Sequence, residues 1–205
     1  MVREIRIYVE GGGQDKLTWR KIREGLSNFL DPLRQLARSR RVQWRIIPCG
    51  SRNDTFEELK IGLRTRPEAF HVLLVDSEGP VSQSPLEHLR NQDRWDVSLL
   101  TEDQCHLMVQ TIEAWLVADP EALASYYGQG FRRNALPKNP DVEAIPKDQL
   151  VKKLEQATAK TQKRPYHKIR HCADLLGRLS RDRVRQRARH CELLFRTLEA
   201  RITAG

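Results

Sequence analysis

The residues best placed to do chemistry are acidic and stand beside glycines. In "IRIYVEGGGQD" (5–15) an apolar, β-branched run ends at one carboxylate, Glu10, and Gly11, Gly12 and Gly13 follow at once. In "LLVDSEG" (73–79) a second apolar run ends in Asp76, Ser77 and Glu78. Carboxylates a few ångströms apart do not all stay ionised unless something compensates them. A divalent cation does so, and carboxylate oxygens suit Mg2+ or Mn2+. Residues two apart on a strand share a face, so Asp76 and Glu78 are expected to reach one ion together. Glu10 could in addition act as a general acid or base. Glycines let a phosphate come close to backbone amides, and the N-terminus of the next helix would point at the same place. Each feature alone has an ordinary explanation as a turn, a solvated strand end or a helix cap. Their conjunction at two strand ends points to metal-dependent phosphoryl chemistry.

Such a site needs elements that bring the two strand ends together. Alternating and continuous apolar runs predict strands over 3–10, 42–50, 69–81 and 105–110. Helical spacing predicts a long helix over 15–38 that Pro32 kinks or breaks. Another is predicted over 53–66, capped by Asn53 or Asp54. The stretch 111–128 reads as a helix in two parts broken at Pro120, with Asp119 capping the second. Further helices are expected over 148–158, 168–178 and 181–202. Residues 128–147, rich in Gly, Pro, Asn and Lys, read as a loop. Strands alternating with helices imply an α/β fold with a mostly parallel sheet flanked by helices. The expected organisation is a core over 1–128 and a C-terminal helical extension over 129–205, packed on the same domain. In parallel sheets sites form at the carboxyl ends of strands, where Glu10, Asp76 and Glu78 stand.

Other residues are secondary candidates. Glu113, after the fourth strand, is either a further acidic ligand or a helix-start acid favoured by the macrodipole. Trp115 reads as core. "IPKDQL" offers Lys147, and "PYHKIRH" offers Tyr166, His167, Lys168, Arg170 and His171. A lysine near a scissile phosphate stabilises developing negative charge, and Lys168 is the preferred catalytic cation, with Lys147 second. His167 and His171 are one turn apart and expected on an exposed helix face; without an acid partner a zinc site there is not supported.

Composition bounds the partners. The 205 residues are 39% hydrophobic and 31% charged, with a formal net charge of +9, which favours a polyanion such as nucleic acid. Basic stretches at 34–41 and 181–190 would make salt-dependent phosphate contacts, with Arg181, Arg183, Arg185, Arg187 and Arg189 as the candidates. DNA and RNA are both open, and so is a homo-oligomer. Few aromatics sit among these cations, so base stacking is not supported. Cys49, Cys105, Cys172 and Cys191 form no CxxC pair and read as reduced thiols. No signal peptide or membrane span is read, so a cytoplasmic protein is expected. No GxxxxGK[ST] is present, so any ATP use would belong to a partner.

The strings "IYVEGGG" and "LLVDSE" resemble the Toprim domain of topoisomerases, primases and overcoming-lysogenization-defect nucleases, which has a strand-end Glu followed by Gly and a later Asp-x-Asp. Glu78 replaces the second Asp. A closer resemblance spans nearly the whole chain: "VDSEGPV", "HLMVQTIEAWLVAD", "AIPKDQL" and "YHKIRHCADLL" are similar to small bacterial Toprim-like proteins grouped as domain of unknown function 4276. The resemblance implies a Toprim-like fold, a bacterial or archaeal cytoplasmic protein and an ABC/SMC-like ATPase partner in phage defence; related Toprim-like nucleases carry an acidic residue near Glu113, and a metal-dependent nuclease is the favoured expectation. The alternative is a non-catalytic subunit that binds nucleic acid or regulates an ATPase. Primase-type transfer lacks a recognisable nucleotide pocket, and a topoisomerase would need a nucleophile such as Tyr166.

Overall fold

Four apolar runs become strands: β1 (Glu4–Glu10), β2 (Gln43–Gly50), β3 (Phe70–Asp76) and β4 (Cys105–Met108). The computed structural model describes residues 2–11 and 15–204, so Gly12 and Gly13 of the expected phosphate cradle lie outside the described residues. All strand pairs are parallel, in the order β2-β1-β3-β4. The central strands are therefore β1 and β3, in register from Ile5 opposite Phe70 to Val9 opposite Leu74. Both ends that carry acids lie side by side.

Every residue of β3 is buried because both faces of the sheet are covered. Ile5, Ile7, Val9, Val72 and Leu74 pack on one side. Their partners there come from α1 (Lys16–Phe29), α2 (Asp31–Ser39), α5 (Glu113–Ala118) and α10 (Arg189–Thr203). Tyr8, Leu73, Val75 and Leu107 pack on the other side against α3 (Arg52–Thr65) and α4 (Pro85–Asp93). The helix expected over 15–38 is two helices that meet at Leu30, with Pro32 in the first turn of α2, where a missing N–H costs nothing. The cap of α3 is Ser51, not Asn53 or Asp54; Asp54 is its reciprocal capping-box partner. α4, between 82 and 104, was not foreseen.

The helix α6 (Pro120–Tyr127) follows α5 after a break at Asp119, whose side chain accepts from Ala122 N at 3.3 Å. Residues 128–146 are irregular apart from 3-10 turns at Arg133–Ala135 and Val142–Ala144. Then come α7 (Lys147–Thr158), α8 (Lys168–Leu176) and α9 (Arg181–Arg187). The helix expected over 181–202 is broken at Ala188, which is buried in an extended conformation (φ −127°) between α9 and α10. The C-terminal helices pack on the sheet layer: α8 on α1, α9 on α5, and α10 on α2 and β4. Phe29 joins the parts, with its ring centroid 5.3 Å from that of Trp115 and 5.7 Å from that of Phe195. All four cysteines are free and buried. No helix among the described residues is long and apolar enough to cross a membrane.

Candidate metal centre

The site starts at the end of β1 and β3. Asp76 N donates to Glu10 Oε2 at 3.2 Å, so the two strand-end acids are locked to each other through the backbone. Asp76 is buried; its Oδ1 accepts from Ile112 N at 2.7 Å and its Oδ2 from Lys168 Nζ at 2.9 Å. Glu78 arrives differently from the sequence expectation. β3 stops at Asp76, so strand alternation does not place Glu78. It sits in a left-handed turn (φ +61°), with its N–H donating to Gln110 O at 2.9 Å. That turn folds its carboxylate back over the sheet edge. One oxygen from each of Glu10, Asp76 and Glu78 lies within 4.8 Å of the others.

Cations converge on the same edge. Lys168 opens α8 and lies 2.9 Å from Asp76 and 3.5 Å from Glu113 Oε2. Lys147 opens α7, its N–H donating to Gln110 Oε1 at 3.2 Å and its ammonium pairing with Glu78 at 2.5 Å. The sequence reading missed Arg52. It donates to Glu10 Oε2 at 3.3 Å and to the Asp76 carbonyl, and it clamps Asp93 through two bonds of 2.6 and 2.7 Å. Its one sequence signal is its place just beyond the end of β2, which matters only once β2 is known to flank β1. Glu113 is buried at the start of α5. Its Oε1 accepts from Tyr166 OH at 2.9 Å, while Oε2 takes no hydrogen bond. Glu113 faces Lys168 and is not among the three acids that can share an ion.

Burial dominates the electrostatics. It pushes the Asp76 carboxyl up to about 7; Lys168 opposes this, while Glu10 and Glu113 add to it. Burial raises Glu10 as well, against the pull of Arg52. Burial works against the Lys168 charge, but Asp76 and Glu113 outweigh it and its pKa rises. The Tyr166 hydroxyl is raised by burial and stays a donor to Glu113. A pocket of about 170 Å³ opens beside these groups, with Glu10, Asp76 and Lys168 at its polar end and Ile22, Leu26 and Leu176 on its apolar walls.

A family model matches residues 9–199, from the end of β1 into α10. The chain belongs to the family described as Domain of unknown function (DUF4276). The DUF4276 match takes in the three acids, both lysines, Arg52 and Glu113. No curated protein and no solved structure matches the chain. The DUF4276 description carries no activity.

Three groups of expected residues inside the DUF4276 match have partners of their own in the fold. The first concerns the anion cradle. Gly11 has the expected positive φ (+128°), but its N–H donates to Gly50 O at 2.8 Å. The N-terminus of α1 is capped by Asp15, whose carboxylate accepts from Leu17 N at 3.3 Å and Thr18 N at 3.0 Å. A negative charge already holds those amides.

The second concerns the arginines. Arg183 bonds Asp119 at 2.8 Å. Arg185 bonds Glu192 at 2.6 Å and lies over the Phe195 ring. Arg187 donates to the carbonyls of Val117, Ala118, Asn139 and Pro140 at 2.7–3.1 Å. These three have partners within the fold, although Arg183 stays exposed; Arg181 is half-buried and Arg189 exposed. The third concerns the histidines. His171 is buried rather than exposed, and its Nδ1 lies 3.1 Å from both His167 N and Tyr127 OH. That nitrogen is taken, so the exposed-face expectation holds for His167 and not for His171.

Proposed function

We propose that this protein is a Mg2+- or Mn2+-dependent nuclease that hydrolyses phosphodiester bonds. The observation that carries the reading is the convergence of Glu10, Asp76 and Glu78 at one sheet edge, ringed by Lys147, Lys168 and Arg52. The donor set fits a hard divalent ion. Oxygens on Mg2+ stand about 3 Å apart when adjacent and about 4.2 Å apart when opposite, so the three oxygens that lie within 4.8 Å would close in by side-chain rotation to share one ion. Glu10, Asp76 and Glu78 would hold it, and when bound it would polarise a phosphate and lower the pKa of a coordinated water.

The chain's own groups would do the rest. Glu10 Oε2 is held by Arg52 and by Asp76 N, which leaves Oε1 to take a proton from an attacking water. The water oxygen bonds to phosphorus, the phosphorus–oxygen ester bond breaks, and the leaving oxygen gains a proton. Lys147 and Lys168 would stabilise the negative charge that builds on the phosphate oxygens. The +9 net charge would hold a polyanionic substrate against this edge. The adjacent central strands β1 and β3 are compatible with a Toprim-like arrangement; a cytoplasmic role in phage defence beside an ABC/SMC-like ATPase is proposed on the family resemblance alone.

The test is cleavage of plasmid, single-stranded DNA and tRNA with Mg2+, Mn2+ or EDTA, by wild type, Glu10→Gln and Asp76→Asn. Metal-dependent cleavage that falls more than about a hundredfold in both variants supports the reading. Equal cleavage by all three refutes it. No cleavage by any, with an ATPase partner supplied, returns the non-catalytic binding subunit.

A further inference from the structure

We infer that Lys168 is a tethered cation standing where a second divalent ion would otherwise bind, so that the centre takes one ion from solution and not two. The inference rests on the reading of Glu10, Asp76 and Glu78 as a divalent-ion site. Two-ion phosphoryl-transfer centres hold their ions about 3.5–4 Å apart. Asp76 can bridge two cationic positions in this way. One of its oxygens lies within 4.8 Å of an oxygen of Glu10 and of Glu78. Its Oδ2 also meets Lys168 Nζ at 2.9 Å, while Oδ1 accepts from Ile112 N at 2.7 Å.

Glu113 completes the second position. Its side chain is 2% exposed, its Oε2 has no hydrogen bond, and the nearest compensating charge is the same Lys168 Nζ at 3.5 Å. A buried carboxylate oxygen without a donor is costly unless a cation sits opposite it. Lys168 therefore lies between two carboxylates that belong to different elements, β3 and α5. Its side chain is half-exposed while those of its partners are buried at 4% and 2%. The ammonium is inserted from α8 like a plug and needs no ion from solution to fill the position. Tyr166, from the segment just before α8, fixes the other Glu113 oxygen, so the second position is aimed as well as charged.

The test counts Mn2+ bound to the full chain by calorimetry and by the loss of the free-ion spin resonance signal. Wild type should bind one ion, and Glu10→Gln should lose it. Lys168→Ala should bind two. Lys168→Arg, which keeps the charge, and the double variant Lys168→Ala/Glu113→Gln, which removes the vacated ligand, should each bind one. If Lys168→Ala loses its native near-ultraviolet dichroism in EDTA, Mn2+ should restore it with two ions bound. Failure to do so overturns the inference. One ion in both wild type and Lys168→Ala overturns the inference and leaves the metal reading standing. Two ions in wild type overturn it as well. No ion in any variant removes the metal reading, and the inference goes with it.

Discussion

Arg52 reaches Glu10 Oε2 at 3.3 Å while its other face clamps Asp93 at 2.6 Å. The guanidinium ties the end of β1 to α4 and stacks over the Trp95 ring at 5.2 Å. Removing it strands two part-buried carboxylates. Arg52→Met should cost about 3 kcal/mol in urea denaturation, more than a surface pair would. Saturating Mn2+ should recover part of that loss, because an ion at Glu10 replaces the missing charge. A loss below 0.5 kcal/mol would mean that Arg52 is an ordinary surface cation.

A second expectation concerns pH. In ion-free protein the Asp76 carboxyl is raised from 3.8 to about 7, chiefly by burial. Between those values the folded state keeps a proton that the unfolded chain has released. The stability from this group is full below about pH 4 and is lost as the pH rises through 7. His106, whose pKa burial lowers from 6.5 to about 4, acts oppositely: its stability is lost as the pH falls through that range. The comparison is therefore with Asp76→Asn, which keeps His106. In EDTA, wild type should lose stability relative to Asp76→Asn between pH 4 and 7. Identical profiles would show that Asp76 does not titrate in this window.

Gly25 on α1 couples packing to the site. A Cβ there would lie 2.3 Å from the carbonyl oxygen of Ala173 on α8, too close for either backbone. Gly25→Ala should force α8, and Lys168 with it, away from the sheet edge. The expected cost is about 3 kcal/mol, with weaker Mn2+ binding alongside. A variant as stable as wild type would show that the α1–α8 contact is loose.

The arginines of 181–189 should divide into two kinds. Arg187→Ala leaves four carbonyl contacts unmade and should lower stability by about 2 kcal/mol, read by urea titration. Reversing Arg181 and Arg189 together should leave the unfolding midpoint in urea unchanged and weaken nucleic-acid binding at low salt. The opposite pattern, with Arg187 silent and the outer pair destabilising, would reverse the assignment.

The sequence alone was enough for whatever depends on what each segment buries. Continuous apolar runs marked the strands, helical spacing marked most helices, and Pro32 and Pro120 marked breaks, because these signals are local. It also marked Glu10, Asp76 and Glu78 as strand-end acids, since an acid that ends an apolar run is conspicuous in one dimension. Only the tertiary structure decided the order β2-β1-β3-β4, and that order puts Glu10 beside Asp76 and brings Arg52 to both. It decided that Glu78 arrives through a left-handed turn, and that Glu113 faces a lysine rather than joining the other acids. It also sorted the arginines, because Arg183 and Arg187 find partners 64 to 70 positions away. The physical reason is the same throughout. Strand order and ion pairing are choices among distant groups, and the energy that makes the choice exists only after the chain has brought them together.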